Sequence, residues 1–416
     1  MNRNSLLLRL VLLVSFSHAT VHLLEQSIAS VELDVSSEFQ LNSEQSGLLS
    51  TSFRIPYGFG ALLAGMLADR IGARRILAIY LGASACICLA VMLSPSSTML
   101  YISLFCLGCF ASIYHPAGLA LLANSTTPYE RPRALGLHGV LGSTGIMSAP
   151  LIAGLTLSVS GATWKTFYAV IAVCCAILTW MLLTMLKPVP PEQVAQPEGG
   201  HNGNKSETET NTVKLPAMPV PLDRLQKRPF ALMVTSAALC GIVYGGFLHF
   251  LTRYLTEVPQ VERLAASFGF TGTASARFCS ALALSCGAAG QFLAGRMAHP
   301  RHLRFMLAAV YAANIPFLLW MSVAQGLERL VAACLLAFVH FMNQPLYNSL
   351  LPEFVPPGKR STWYGFSAMM GFGLGAVGPW FVGTFDNYRD SYSWLAGIAL
   401  LAAIFPLLLP RPAIET

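Results

Sequence analysis

The sequence predicts an all-α integral membrane protein of 12 transmembrane helices, arranged as two parallel six-helix repeats. Three observations predict it. Only 11% of the 416 residues are charged and 54% are hydrophobic, whereas a soluble domain carries about 25% charged residues to cover its surface. Apolar stretches long enough to cross a bilayer, which takes roughly 20 residues, recur in two sets of six around one polar interval. The second set also repeats the first. A shift of 229 residues carries Pro116 onto Pro345, Pro128 onto Pro357, Arg131 onto Arg360, Gly136 onto Gly365, Pro150 onto Pro379 and Gly154 onto Gly383. A shift of 230 carries Gly60, Gly65, Ala68 and Arg74 onto Gly290, Gly295, Ala298 and Arg304. Composition alone excludes an ordinary cytosolic enzyme, a disordered chain and a collagen-like fibre.

In chain order, spans 1 to 6 fall near residues 6–28, 46–68, 76–94, 98–122, 134–158 and 165–186. Spans 7 to 12 fall near 230–255, 275–297, 303–323, 330–351, 362–385 and 392–410. Met1 to Ser5 with the apolar run behind them resemble a signal peptide, but the polar loop that follows leads directly into span 2, so an uncleaved first helix is expected. Residues 187–229 are rich in Pro, Glu, Asn and Thr and read as a flexible solvated linker. The organisation is therefore a first bundle at 1–186, the linker at 187–229 and a second bundle at 230–416.

Lys and Arg fix the expected orientation. On the side of both termini and the linker lie 19 of them, on the other side four (Lys165, Arg263, Arg329 and Arg389), and Arg54, Arg253 and Arg277 fall within spans. By the positive-inside rule both termini are cytoplasmic, in a plasma (inner) membrane. Arg253 and Arg277 lie near the outer ends of their spans, where snorkelling to the headgroups is the default expectation. The net charge of +7 is dispersed over loops, so no nucleic-acid partner is expected. All ten cysteines lie in apolar stretches, the Cys106-x-x-Cys109 pair included, and read as packing residues.

The loop after span 2 reads Gly65-Met-Leu-Ala-Asp69-Arg70-Ile-Gly72-Ala-Arg74-Arg75. A carboxylate there can cap a helix N-terminus or pair with arginine and so latch the two halves on one side. The loop resembles the signature loop of the major facilitator superfamily, and the resemblance extends over nearly the whole chain. Its second-half counterpart, Gly295 to Arg304, lacks the aspartate, so only the first latch is expected to be strong. Span 5 carries Gly136, Gly145, Ala149-Pro150 and Gly154, with Gly378-Pro379 as the mate in span 11. Small residues at this spacing let helices approach closely, and proline bends the span. The pattern resembles the motif of the superfamily's proton-coupled antiporters. It departs from the drug and proton antiport branch in span 4, where Leu104 stands four residues before Gly108 in place of the usual arginine.

Polar groups inside the spans are the functional candidates, because a charge at the bilayer centre costs about 2.5–3.5 kcal/mol on insertion scales. Span 1 presents Ser15, His18, His22 and Glu25 on one face. Glu25 is the one carboxylate expected within a span, and Arg54 of span 2, about 15 residues or roughly 22 Å from Asp69, is its natural partner. A partner that approaches in one state and withdraws in another switches the acid's protonation. Glu25, Arg54 and His22 are therefore the expected proton-coupling set. His18, His22 and Glu25 also have the spacing of metal ligands, but no general base of the H-E-x-x-H kind accompanies them. No metal and no cofactor are expected.

Tyr114-His115-Pro116 in span 4 and Asn343-Gln344-Pro345 in span 10 are polar groups beside helix-breaking prolines at equivalent places in the two halves. The superfamily resemblance implies that spans 1, 4, 7 and 10 surround the substrate cavity, which adds His18, Tyr244, His249, His340 and Asn348 to Tyr114, His115, Asn343 and Gln344 as its lining. The Tyr-His-Pro tripeptide is also similar to the fosmidomycin-resistance-like group. Gly203 to Ser206 does not form a phosphate loop, so an ion gradient or the solute's own gradient is expected to drive transport. The expected activity is secondary transport of a small organic solute by alternating access, as proton-coupled efflux. An importer of an organic anion held by Arg54 and histidines is the alternative. A non-transporting sensor or intramembrane enzyme is the third reading; no acid, base and nucleophile converge outside span 1. Substrate and protons are the expected partners, with the bilayer, and a monomer suffices.

Overall fold

A computed structural model describes residues 3–126, 131–185, 225–256, 258–356 and 360–410. The expected linker lies outside these residues as far as 224, and so does Pro128. Among the described residues the regular structure is entirely helical. Span 1 is Arg3–Ser30, span 2 Ser43–Ile71 and span 3 Ala73–Met92. Span 4 is Ser97–Ala111 continued by Tyr114–Ser125, span 5 Arg131–Leu157 and span 6 Trp164–Met185. In the second half, span 7 is Lys227–Thr256, span 8 Thr273–Met297 and span 9 Leu303–Val323. Span 10 is Glu328–Phe341 and Asn343–Leu350, span 11 runs from Arg360 to Gly383, and span 12 is Tyr388–Leu407.

Eleven of these passages are long and apolar enough to cross a membrane. Span 2 is the twelfth passage: its 29 residues suffice in length, but Arg54, Asp69 and Arg70 dilute its apolar character. The outer surface carries large apolar side chains, such as Leu63, Trp180 and Val173, at more than half exposure. A soluble monomer does not tolerate so much exposed hydrocarbon; a bilayer requires it. The protein is a multi-pass membrane protein.

Each half is built by the same pairings. Span 1 packs on span 5, span 2 on span 4 and span 3 on span 6, and span 7 packs on span 11, span 8 on span 10 and span 9 on span 12. Six passages is an even number, so both halves enter from the same end, here called the terminal end. The repeat extends to side chains. Arg74 of span 3 donates to the Leu183 carbonyl of span 6, and Arg304 of span 9 donates to the Leu409 carbonyl after span 12.

The prolines bend the spans where a missing donor frees a carbonyl four residues back. Span 4 breaks after Ala111, at the Ser112 that Pro116 would have bonded, and span 10 breaks after Phe341, the corresponding partner of Pro345. In span 11, Met369–Leu374 is a π-helical segment rich in glycine. It wedges span 11 between span 7 of its own half and span 2 of the other. Gly58 lies against Gly373, Gly241 against Gly371 and Gly375, and Gly47 against the Pro379 carbonyl. The halves meet along this seam, along its repeat mate between spans 5 and 8, and between spans 1 and 7.

The opposite end, the far end, is tied by charge. A short helix, Glu32–Phe39, occupies the segment after span 1. Arg253 donates to Glu32 at 2.6 and 2.9 Å, and Arg277 donates to Asp34 and, at 2.9 Å, to the Ser30 carbonyl. The expectation that these arginines snorkel is therefore corrected. Arg277 is fully buried, because the carboxylates of the short helix and a free helix-end carbonyl offer it stronger partners than headgroups would. Gln26 donates to the Leu248 carbonyl, and His249 bonds Ser46 at 3.1 Å and Ser50 at 2.7 Å, all between halves and on the far-end side.

Candidate functional site

The site grows from span 1. Residues 18, 22 and 25 are spaced by four and three, so one helical face presents three polar groups to spans 2, 4 and 5. Glu25, 2% exposed, accepts from Arg54 Nη1 at 2.8 Å through Oε1 and meets His22 Nδ1 at 2.8 Å through Oε2. His22 Nε2 lies 3.2 Å from His18 Nε2. His18 Nδ1 donates to the His138 carbonyl at 2.9 Å and lies 3.0 Å from His138 Nδ1. Tyr114 donates to the Val14 carbonyl at 2.7 Å and lies 3.2 Å from His138 Nε2. The result is one continuous hydrogen-bonded row from Arg54 to Tyr114. It runs along span 1 towards the terminal end.

Neighbouring helices are shaped to admit it. Span 5 has glycine at 142, and any side chain there would occupy the His18 ring; three residues on, Gly145 lies against the Ala19 backbone. The break in span 4 turns His115 towards the row: its ring lies 5.4 Å from that of His18 and 5.5 Å from that of His22, and its Nε2 meets the Tyr57 hydroxyl at 2.7 Å. The second half closes the site with two aromatic rings. Phe372 stacks on His115 at 6.1 Å, and Tyr244 lies under the Arg54 guanidinium at 5.3 Å.

The structure thus brings together Glu25, Arg54, His22, His18, Tyr114 and His115 of the expected residues, with Tyr244 at their edge. It does not bring in the others. His249 sits in the seam between spans 2 and 7. His340 stacks on Tyr244 at 5.8 Å but bonds Asn314 at 2.9 Å within the second half, and Asn343 donates back to the His340 carbonyl. Gln344 is exposed and bonds Gln291, which bonds Ser143 across the halves, while Asn348 is exposed and its carbonyl accepts from Tyr364.

Of the loop motif, Gly72 has φ 90°, a left-handed conformation that glycine alone adopts freely, and it turns span 2 into span 3. Arg70 and Arg75 are exposed, Gly65 approaches Pro116, and the side chain of Asp69 lies outside the described residues. The Arg74 bond to Leu183 joins spans of one half and does not cross to the other. In span 5, Ala149 and Pro150 are buried and Gly154 touches Arg277 of span 8, but Gly136 is exposed, with no atom of the described residues within 4 Å of where its side chain would begin. The close packing expected of Gly136 is not seen among the described residues. Gly378 lies against the Ile242 carbonyl of span 7.

Sequence reasoning missed His138 and Tyr57, which lacked the spacing that marked span 1. A census of every histidine inside an apolar run would have found His138. His18, His22 and His115 bring ring nitrogens within 4.8 Å of one another, the arrangement among the described residues nearest to a metal-binding set.

Residues 14–379 match the Major Facilitator Superfamily. A putative metabolite transport protein of Haemophilus influenzae is 26% identical over 390 residues, covering 89% of this chain and 86% of that one. Multidrug resistance protein 1 of Bacillus subtilis is 28% identical over 171 residues, 41% of this chain and 43% of that protein. Among solved structures, a bacterial homologue of the human lysosomal transporter Spinster, inward-facing and occupied, superposes with a TM-score of 0.74 at 16% identity, covering 99% of this chain and 98% of that one. At that identity the likeness shows the fold.

Proposed function

The chain belongs to the major facilitator superfamily and is a membrane transporter, and on that premise we propose that it exchanges protons for a small organic solute, exporting the solute by alternating access. Both termini face the cytoplasm of the plasma (inner) membrane, in keeping with the basic residues on that side. Glu25, Arg54 and His22 couple the proton, and the solute binds between the halves near His18, Tyr114, His115 and Tyr244.

The observation that carries this reading is the Glu25–Arg54 contact of 2.8 Å with both residues under 5% exposed. A buried ion pair is costly to assemble and gives little net stability. Its use is as a switch: the carboxylate stays charged while Arg54 is near and takes a proton when Arg54 leaves. Arg54 also lies over Tyr244 of the other half, so movement of one half against the other changes its surroundings. The antiporter-like spacing in span 5 and a relative named for multidrug resistance favour export.

The test is solute accumulation in vesicles, first screening metabolites and drugs, then comparing gradient-driven and exchange transport. The unmodified protein accumulates solute under a proton gradient, and Glu25→Gln keeps exchange while losing accumulation. Undiminished accumulation by Glu25→Gln contradicts the coupling role. A second reading, an importer of organic anions, is favoured by one atom: Arg54 Nε is buried with no hydrogen-bond partner among the described residues. It predicts that anionic solutes alone compete for transport.

A further inference from the structure

The hydrogen-bonded row constrains where its own protons stand. The Glu25 carboxylate at one end and the His138 carbonyl at the other can only accept. Between them, His22 and His18 supply four ring nitrogens, which make four contacts: 2.8 Å to Glu25, 3.2 Å to each other, and 2.9 and 3.0 Å from His18 Nδ1 to the carbonyl and Nδ1 of His138, where one forked N–H serves both. Each contact is a hydrogen bond only if a proton stands in it, and two neutral imidazoles bring two protons. His22 must donate through Nδ1 and His18 through Nδ1. Their Nε2 atoms then face each other at 3.2 Å as two lone pairs, which repel unless a further proton lies between them.

The neighbours do not supply it. His138 holds its own proton on Nε2, which points to the Tyr114 oxygen, whose hydroxyl proton goes to the Val14 carbonyl. Its Nδ1 is left to accept from His18. His115 makes ring-edge contact with both imidazoles and its Nε2 is engaged by Tyr57. Arg54 donates to Glu25 Oε1, which favours the ionised carboxylate and keeps the extra proton on the imidazole side. Span 2 thus contributes Arg54 and Tyr57, span 4 contributes Tyr114 and His115, and span 5 contributes His138. From the second half Tyr244 faces Arg54.

We infer that His18 and His22 share one proton beyond those of the neutral rings, so that in this state the proton-binding site is the imidazole pair and Glu25 is its receiver. This rests on the coupling reading for its role in transport, but the bound proton itself does not. When Arg54 withdraws, the N–H bond at His22 Nδ1 breaks and an O–H bond forms at Glu25 Oε2. The shared proton settles on His22 Nε2. His22 ends neutral in the opposite tautomer, His18 ends neutral as well, and one proton has passed from the imidazole pair to the carboxylate with no other reactant.

The probe is the proton itself. Magnetic resonance of isotope-labelled imidazole nitrogens, on the full chain in lipid nanodiscs at neutral pH, is expected to show one ring protonated on both nitrogens among the histidines of the spans. That imidazolium count falls from one to none in His18→Gln and in His22→Gln. Only neutral rings among the span histidines of the unmodified protein would overturn the inference, whether or not either variant folds. So would an infrared carboxylic-acid band that vanishes in Glu25→Gln. Solute accumulation by Glu25→Gln reads the coupling role separately, so one inference can fail while the other stands.

Discussion

A guanidinium that is 4% exposed inside a bilayer survives only with a partner, and the residue scale is governed by that demand. Removing one member of a buried ion pair costs about 3–5 kcal/mol, because the other is stranded. Glu25→Gln should therefore lower the thermal midpoint in detergent sharply, because the Arg54 guanidinium cannot shed its charge, and the double variant with Arg54→Gln should regain most of the loss. Equal midpoints in the single and double variants would deny the pairing. Glu38, outside the spans, is governed by weaker forces. Partial burial pushes its carboxyl up, but bonds from Lys165 at 2.6 Å and Trp164 at 2.6 Å, with the lysine charge, hold it below the usual range. A depressed folded value contributes stability above the unfolded value, and that contribution fades as pH falls through the folded one. Lys165→Ala should cost at most about 1 kcal/mol near neutral pH and nothing in strong acid; a cost independent of pH would refute this. Glu25 and Arg54 were legible in the sequence because charges in apolar runs are rare. Asp34 was not, since nothing in a polar loop says that Arg277 will fold back onto it.

At the scale of elements, proline and glycine decide what the helices can carry. The prolines at 116 and 345 were readable as bends, and the bends occur four residues earlier, where the physics of the missing donor puts them. The glycines were readable as packing residues, but not in their particular duties. Gly142, absent from the spacing pattern, is the one that admits His18, while Gly136, which belongs to the pattern, meets no neighbouring helix among the described residues. Periodicity along one helix reports a face; it does not report which helix lies opposite or at what depth the two diverge. Gly142→Ala is predicted to displace the His18 ring and to cost about 1–3 kcal/mol by overpacking. It should perturb the imidazole resonances of His18 and His22, whereas Gly136→Ala should leave them and the thermal midpoint unchanged. Equal effects of the two substitutions would refute the packing argument.

The whole molecule was legible as a duplication, since the repeat could be counted residue by residue, and the same helix pairings recur in both halves. How the halves face each other was not legible, because a sequence repeat constrains each bundle and is silent about the seam between them. The seam turns out to be asymmetric along the membrane normal. The ion pairs of Glu32 with Arg253 and Asp34 with Arg277, and the bonds of Gln26 and His249, join the halves on the far-end side. Alternating access requires these to part while the halves swing about the site. The most direct test is the distance between spin labels at Ser37 and Thr384, exposed positions at the far end of opposite halves, measured in nanodiscs by pulsed electron resonance. One short distance should dominate in the otherwise unmodified protein, and a second, longer one should appear when Glu32→Gln and Asp34→Asn are combined. A single unchanged distance in that double variant, with transport retained, would contradict the account.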